Sequence, residues 1–214
     1  MSELNAVELK VGDLVRIDGI PSIITRVSDT GIWSYVGHRD GCTNVFIWPS
    51  PADHLIAPCH ALTAEEYLPL ARRTLDPDLV GDHPAAVKAR RMYLTLGMLG
   101  EYGEWCEASQ EDMEGEAGDV LWYLVQLQAE GADVKTPASP PRSPLGIATP
   151  FETIKKAWVH GKDDCIREVY GWCEHIDGVL RTYYEHRTHH IRARNIAKLA
   201  RRYPQGFVRG GGER

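Results

Sequence analysis

Along the first sixty residues apolar and polar positions alternate in short runs. VGDLVRIDG closes on Asp18-Gly19, PSIITRVSDTG closes on Asp29, Thr30 and Gly31, and IWSYVGHRDG and TNVFIWPS continue with Gly and Asp at the breaks. Alternation bounded by turn residues predicts four or five short strands, which suit a small SH3-like or similar β-barrel over residues 1–58. Beyond a link containing Pro51 and Pro58 the period lengthens. Leu62 precedes Thr63-Ala-Glu-Glu66, a capping-box pattern that opens a helix reaching about Leu75. Pro84 fits the first turn of a longer helix that passes through Ala85, Val87, Met92, Leu96 and Leu99 to about Ala108. After a turn at Ser109 or Gln110, a helix from about Asp112 to Glu130 buries Val120, Leu121, Leu124, Val125 and Leu127. KTPASPPRSPLGIATP is a Pro- and Ser-rich connector at about 132–150. One or two helices follow it, and a basic helix ends at Tyr203, before Pro204. The pattern predicts a mainly α chain, with an N-terminal β module, a helical domain over 62–208 and a flexible tail at 209–214.

Composition narrows the class. With 214 residues, 43% of them hydrophobic and 25% charged, the chain has room for one sizeable core or two small domains. No run approaches the roughly 20 apolar residues of a membrane span, and MSELNAVELK lacks the order of a secretory signal. No membrane partner and a cytoplasmic location are therefore expected. The five cysteines are scattered without a CxxC pair and read as reduced thiols. Charge is divided unevenly: residues 181–214 carry net +7, leaving −13 for residues 1–180. The basic end keeps helical apolar spacing at Ile191, Ile196 and Leu199, so it is expected to pack back on the acidic body.

Within that acidic body, eight carboxylates fall between Glu101 and Asp119 with no Lys or Arg among them. Glu101 and Glu104 are three apart, as are Glu116 and Asp119; on a helix that is about 60° of azimuth, so each pair projects from one face. Two such pairs on helices joined by a short turn can face each other. Their mutual repulsion is relieved by a hard divalent cation such as Mg²⁺, with Mn²⁺ as a substitute, able to bridge carboxylates and a substrate's phosphates. An isolated ExxE reads as a solvated acidic face. Here Gly97, Gly100 and Gly103 occupy a helix interior where each costs about 1 kcal/mol relative to Ala, which fits close approach of another helix or a ligand.

These residues resemble a known family, the MazG-like all-α nucleoside triphosphate pyrophosphohydrolases. The resemblance rests on LGEYGE (99–104), EAGDVLWYL (116–124) and NIAKLARRYPQGF (195–207), in that order, and leaves the N-terminal module outside it. It implies an NTP pyrophosphatase-like helical bundle with Mg²⁺ held by Glu101, Glu104, Glu116 and Asp119. It also implies hydrolysis between the α and β phosphates of a (deoxy)nucleoside triphosphate or related nucleotide, releasing the monophosphate and pyrophosphate. One carboxylate, Glu104 or Glu101, takes the proton of the attacking water, and sequence does not separate base from ligand. Lys198 with Arg201 or Arg202 suits the remaining phosphate charge, and Asn195 shares a helical face with Lys198. Trp122 and Tyr123 are candidates for stacking on the base, against a plain core role. The family often carries lysines soon after the first glutamate pair, whereas WCEASQED has none. A helical core of this size is expected to associate as a homodimer or homotetramer.

Other features compete with that reading. Trp33, Tyr35, Phe46 and Trp48 form either a stacking platform for nucleic acid or the core of the β module, so nucleic acid is a partner only through that module. The rival function is accordingly a non-catalytic nucleic-acid- or protein-binding module on a helical oligomerisation domain. EHRTHH has His186 three and four residues before His189 and His190, a metal-compatible spacing that also suits a polar helix end. The chain carries no P-loop, no GxGxxG after a strand and no GxSxG, which weakens the corresponding nucleotide-binding and serine-hydrolase classes.

Overall fold

A computed structural model describes residues 10–17, 20–27, 33–39, 42–48, 56–131, 149–185, 187–203 and 205–207, with residues 26, 33–39, 42–48, 56–58 and 149 described through their backbone. The Asp18-Gly19 and Asp29–Gly31 turns, most of the Pro-rich connector, His186 and the C-terminal tail lie outside these residues.

The alternating runs form β1 (Leu14–Ile17), β2 (Ile20–Val27), β3 (Trp33–Arg39) and β4 (Cys42–Trp48), and a short β5 (Ile56–Pro58) follows. All neighbours are antiparallel, in the order β4-β3-β2-β1-β5. Among the described residues β4 and β5 stand at the two ends of this order, and closure of the sheet into a barrel is not shown. The register pairs Trp33 with Trp48 and Tyr35 with Phe46, while their side chains lie outside the description.

Helices make up the rest. Thr63 caps α1 (Ala64–Arg72): its hydroxyl accepts the Glu66 amide, and the Glu66 carboxylate accepts the Thr63 amide. The same carboxylate takes Arg16 of β1 at 2.8 Å, tying sheet to helix. Helix α2 (Pro84–Glu107) begins with Pro84 in its first turn and runs 24 residues. A short turn in which the Ser109 hydroxyl donates to Asp112 leads into α3 (Met113–Glu130). Beyond the connector come α4 (Thr149–Ile154), a π-helical turn (Lys155–Val159), α5 (Asp163–Tyr184) and α6 (Thr188–Arg202).

One buried cluster runs from Leu14 and Ile23 of the sheet through Tyr67, Leu94, Met98, Leu121 and Leu124 to Trp172, Ile176 and Ile196. Helix α2 keeps only part of the expected set at the core, where Met92 and Leu99 pack partly buried. Leu94, Met98, Tyr102 and Trp105, spaced at i, i+4, i+8 and i+11, face inward, whereas Leu96 is 41% exposed and Ala85 is exposed. The far end of the α2–α3 hairpin is locked by Arg90, which donates to Glu130 and to the carbonyls of Leu79 and Gly81. Among the described residues no helix is long and apolar enough to cross a membrane.

Candidate functional site

Helix α2 supplies Glu101 from its C-terminal third, and α3 supplies Glu116 and Asp119 from its first two turns. Because the two helices run antiparallel across a short turn, these positions face each other, and one oxygen from each of the three carboxylates lies within 4.8 Å of the others. Among the described residues this is the His, Cys, Asp and Glu grouping compact enough to hold an ion. Its donor set is all oxygen and anionic, the chemistry that Mg²⁺ and Mn²⁺ select. Glu104, one helical turn beyond Glu101, is exposed and stands outside the trio.

The electrostatics are those of crowded acids. Burial, reinforced by Asp119, Glu104 and Glu116 and opposed by Lys198, pushes the Glu101 carboxyl up to about 7. The Glu116 carboxyl is raised for the same reasons, burial first and then Asp119 and Glu104. Asp119 receives direct counter-charge: the Lys198 ammonium donates to its Oδ2 at 2.5 Å and its Oδ1 at 2.6 Å, and Asn195 Nδ2 donates to Oδ1 at 2.8 Å.

Those two donors come from α6, and packing explains how they reach Asp119. Gly118 lies against Asn195 so closely that an added Cβ would sit 3.0 Å from the Asn195 Cβ. Behind Asn195 the buried Tyr67 hydroxyl of α1 donates to its Oδ1 at 2.7 Å. Asn195 is therefore a buried clamp on Asp119 rather than the substrate contact expected from its shared face with Lys198. The acidic body and basic end also meet through Glu114, which pairs with Arg194 and Arg187.

A cleft of about 270 Å³ opens beside Glu101 and Asp119. Lys198, Leu199 and Arg202 line one side, and Tyr93, Tyr123, Tyr203 and Phe207 present aromatic surface to it. Arg202 rather than Arg201 faces the cleft, since consecutive helical residues point about 100° apart; Arg201 is exposed, and its Cα packs under Gly12. Trp122 belongs to the wall, buried, with its indole N–H donated to Thr74 Oγ1 at 2.8 Å and to the Ala71 carbonyl at 3.1 Å. Trp122 is thus part of the buried core as well as of the cleft lining. Tyr123 lies across Gly97, where an added Cβ would fall 2.2 Å from its ring, and its hydroxyl is 3.4 Å from that of Tyr93. Gly97 thus admits a neighbouring side chain as expected, whereas a Cβ added at Gly100 or Gly103 would meet nothing within 4 Å.

Tyr67, Gly118 and Tyr93 are residues of the candidate site that the sequence reading does not single out. Gly118, inside a helix and next to an acid, carries the signal of a close approach; Tyr67 and Tyr93 carry none. Tyr203 and Phe207 lie within the RYPQGF run, where spacing alone gives them no part in a site. In the histidine cluster, His190 Nδ1 lies 2.7 Å from the His60 carbonyl and donates to it, the polar helix-end arrangement, and His186 lies outside the described residues. The chain matches no protein-family model, no curated protein and no solved structure.

Proposed function

We propose that this protein is a Mg²⁺-dependent nucleotide pyrophosphohydrolase that converts a nucleoside or deoxynucleoside triphosphate and water into the monophosphate and pyrophosphate. The observation that carries the reading is one cleft lined by Glu101 and Asp119 of the carboxylate trio, by Lys198 and Arg202, and by the aromatic rings of Tyr93, Tyr123, Tyr203 and Phe207. A ligand that satisfies all of these has a polyanionic end and a flat aromatic end, which is the chemistry of a nucleotide.

Glu101, Glu116 and Asp119 would hold the metal. Bound there, it supplies neutralisation of phosphate charge and acidification of the attacking water. The chain's own residues do the rest. Lys198 and Arg202 take the phosphate oxygens that the metal does not, and Arg202 offers a planar fork for them. Glu104, exposed and outside the trio, would accept the water's proton. Tyr67 and Asn195 hold Asp119 in position from behind. The tyrosine rings receive the base, and the Tyr123 hydroxyl, raised far above the ordinary range mainly by burial, stays protonated as a donor.

In this reading the helices form a MazG-like bundle and the five strands an SH3-like accessory module. Homodimer or homotetramer formation belongs to the same reading. The test is a panel of ribo- and deoxynucleoside triphosphates assayed with Mg²⁺ and with EDTA. Pyrophosphate and monophosphate should form with Mg²⁺ alone, and Glu104→Gln should lower turnover by at least about 100-fold, the range general bases contribute. Orthophosphate as sole product, or turnover indifferent to chelator, would contradict it.

A further inference from the structure

The trio has a cation of its own. Both oxygens of Asp119 accept from the Lys198 ammonium, and only Oδ1 is also held by Asn195. The two α6 donors differ in freedom: Asn195 is 4% exposed and hydrogen-bonded on both sides, while the Lys198 side chain is 47% exposed on a flexible four-carbon stem. A metal ion that takes Oδ2 of Asp119 therefore competes with Lys198 and leaves the Asn195 bond to Oδ1 in place. Lys198 lines the same cleft as Arg202, so an ammonium displaced from Asp119 stays beside whatever phosphate occupies that cleft.

We infer that Lys198 is a tethered counter-ion that exchanges Asp119 for phosphate, so that divalent cation and polyphosphate bind cooperatively rather than one after the other independently. The inference rests on the metal-and-nucleotide reading of the cleft. Its physical basis is a difference in what the lysine gains. When metal enters alone, Lys198 gives up charge-assisted hydrogen bonding to Asp119 for water; when phosphate is present it forms equivalent bonds there. Phosphate thus removes the cost of displacing the lysine, and linkage requires that the metal raise phosphate affinity by the same factor.

Calorimetric titration of the full-length protein tests this, using Mn²⁺ alone and then pyrophosphate with and without saturating Mn²⁺. Lys198→Met should bind Mn²⁺ alone about tenfold more tightly than the parent and Mn²⁺-dependent pyrophosphate about tenfold more weakly, within the usual range of coupling between sites. Lys198→Arg should keep both affinities near the parent's. Arg202→Met removes the same charge without releasing Asp119, and should weaken pyrophosphate while leaving Mn²⁺ affinity within about twofold, well short of a coupled effect. Far-UV circular dichroism establishes that each variant is folded. Parent and Lys198→Met binding Mn²⁺ alone equally well, or Arg202→Met tightening Mn²⁺ as much as Lys198→Met does, would overturn the exchange while leaving the metal centre standing. Failure of both parent and Lys198→Met to bind Mn²⁺ would overturn the metal centre and the exchange together.

Discussion

Glu101 concentrates the conflict that the site must resolve. A free glutamate releases its proton near 4.5, whereas burial and three neighbouring acids hold this one to about 7. Between those values the folded chain binds more protons than the unfolded chain, so stability falls as pH rises through that window. The contribution is fully present below about 4.5 and lost above about 7, and Glu116 shifts in the same direction. A divalent cation held by the ionised carboxylates, as proposed, would reverse the loss, and its affinity would rise as protons leave. Thermal unfolding of the metal-free protein should therefore show a lower Tm at pH 8 than at pH 5.5, and Mg²⁺ should raise Tm more at pH 8. A Mg²⁺ effect that is constant or larger at pH 5.5 would show that the ion does not act through these acids.

At the scale of elements, the α2–α3 hairpin and the docking of α6 bring the acids together, and glycines set two of the distances. Gly97→Ala forces a methyl group into the Tyr123 ring and should cost about 1–3 kcal/mol, the usual range for overpacking. Gly100→Ala faces open space and should be neutral or stabilise by up to about 1 kcal/mol, the helix-propensity difference. Denaturant unfolding of the two variants distinguishes these outcomes, and equal effects would mean that α3 does not press on α2 at Gly97. The sequence made the hairpin legible, because Pro84, the Ser109 turn and the i, i+3 acid pairs are local signals. It also made the capping box of α1 and the basic amphipathic α6 legible. It left the centre of the inward stripe of α2 unresolved, since Leu96 competes with Leu94, Met98, Tyr102 and Trp105 and only tertiary packing chooses between them. Sheet closure was likewise undecided, because alternation fixes strands but not which edges meet. The Tyr67–Asn195–Asp119 chain links residues 128 and then 76 positions apart, a relation no local pattern carries.

Across the whole molecule, the uneven charge division has a structural outcome. Basic α6 lies on acidic α3, with Arg194 and Arg187 at Glu114 and Lys198 at Asp119, while Ile191, Ile196 and Ala200 are buried beneath them. Exposed pairs such as Arg194–Glu114 add little stability by themselves, so apolar burial holds α6 and the charges orient it. The consequence for function is that carboxylates from one hairpin, cations from α6, and aromatic rings from the hairpin and from the segment after α6 share a single cleft. The most direct test of that convergence is the anomalous difference map of a crystal soaked in Mn²⁺. A peak bounded by the carboxylates of Glu101, Glu116 and Asp119 is the predicted result; a site without manganese density in a crystal that binds the ion elsewhere would contradict it.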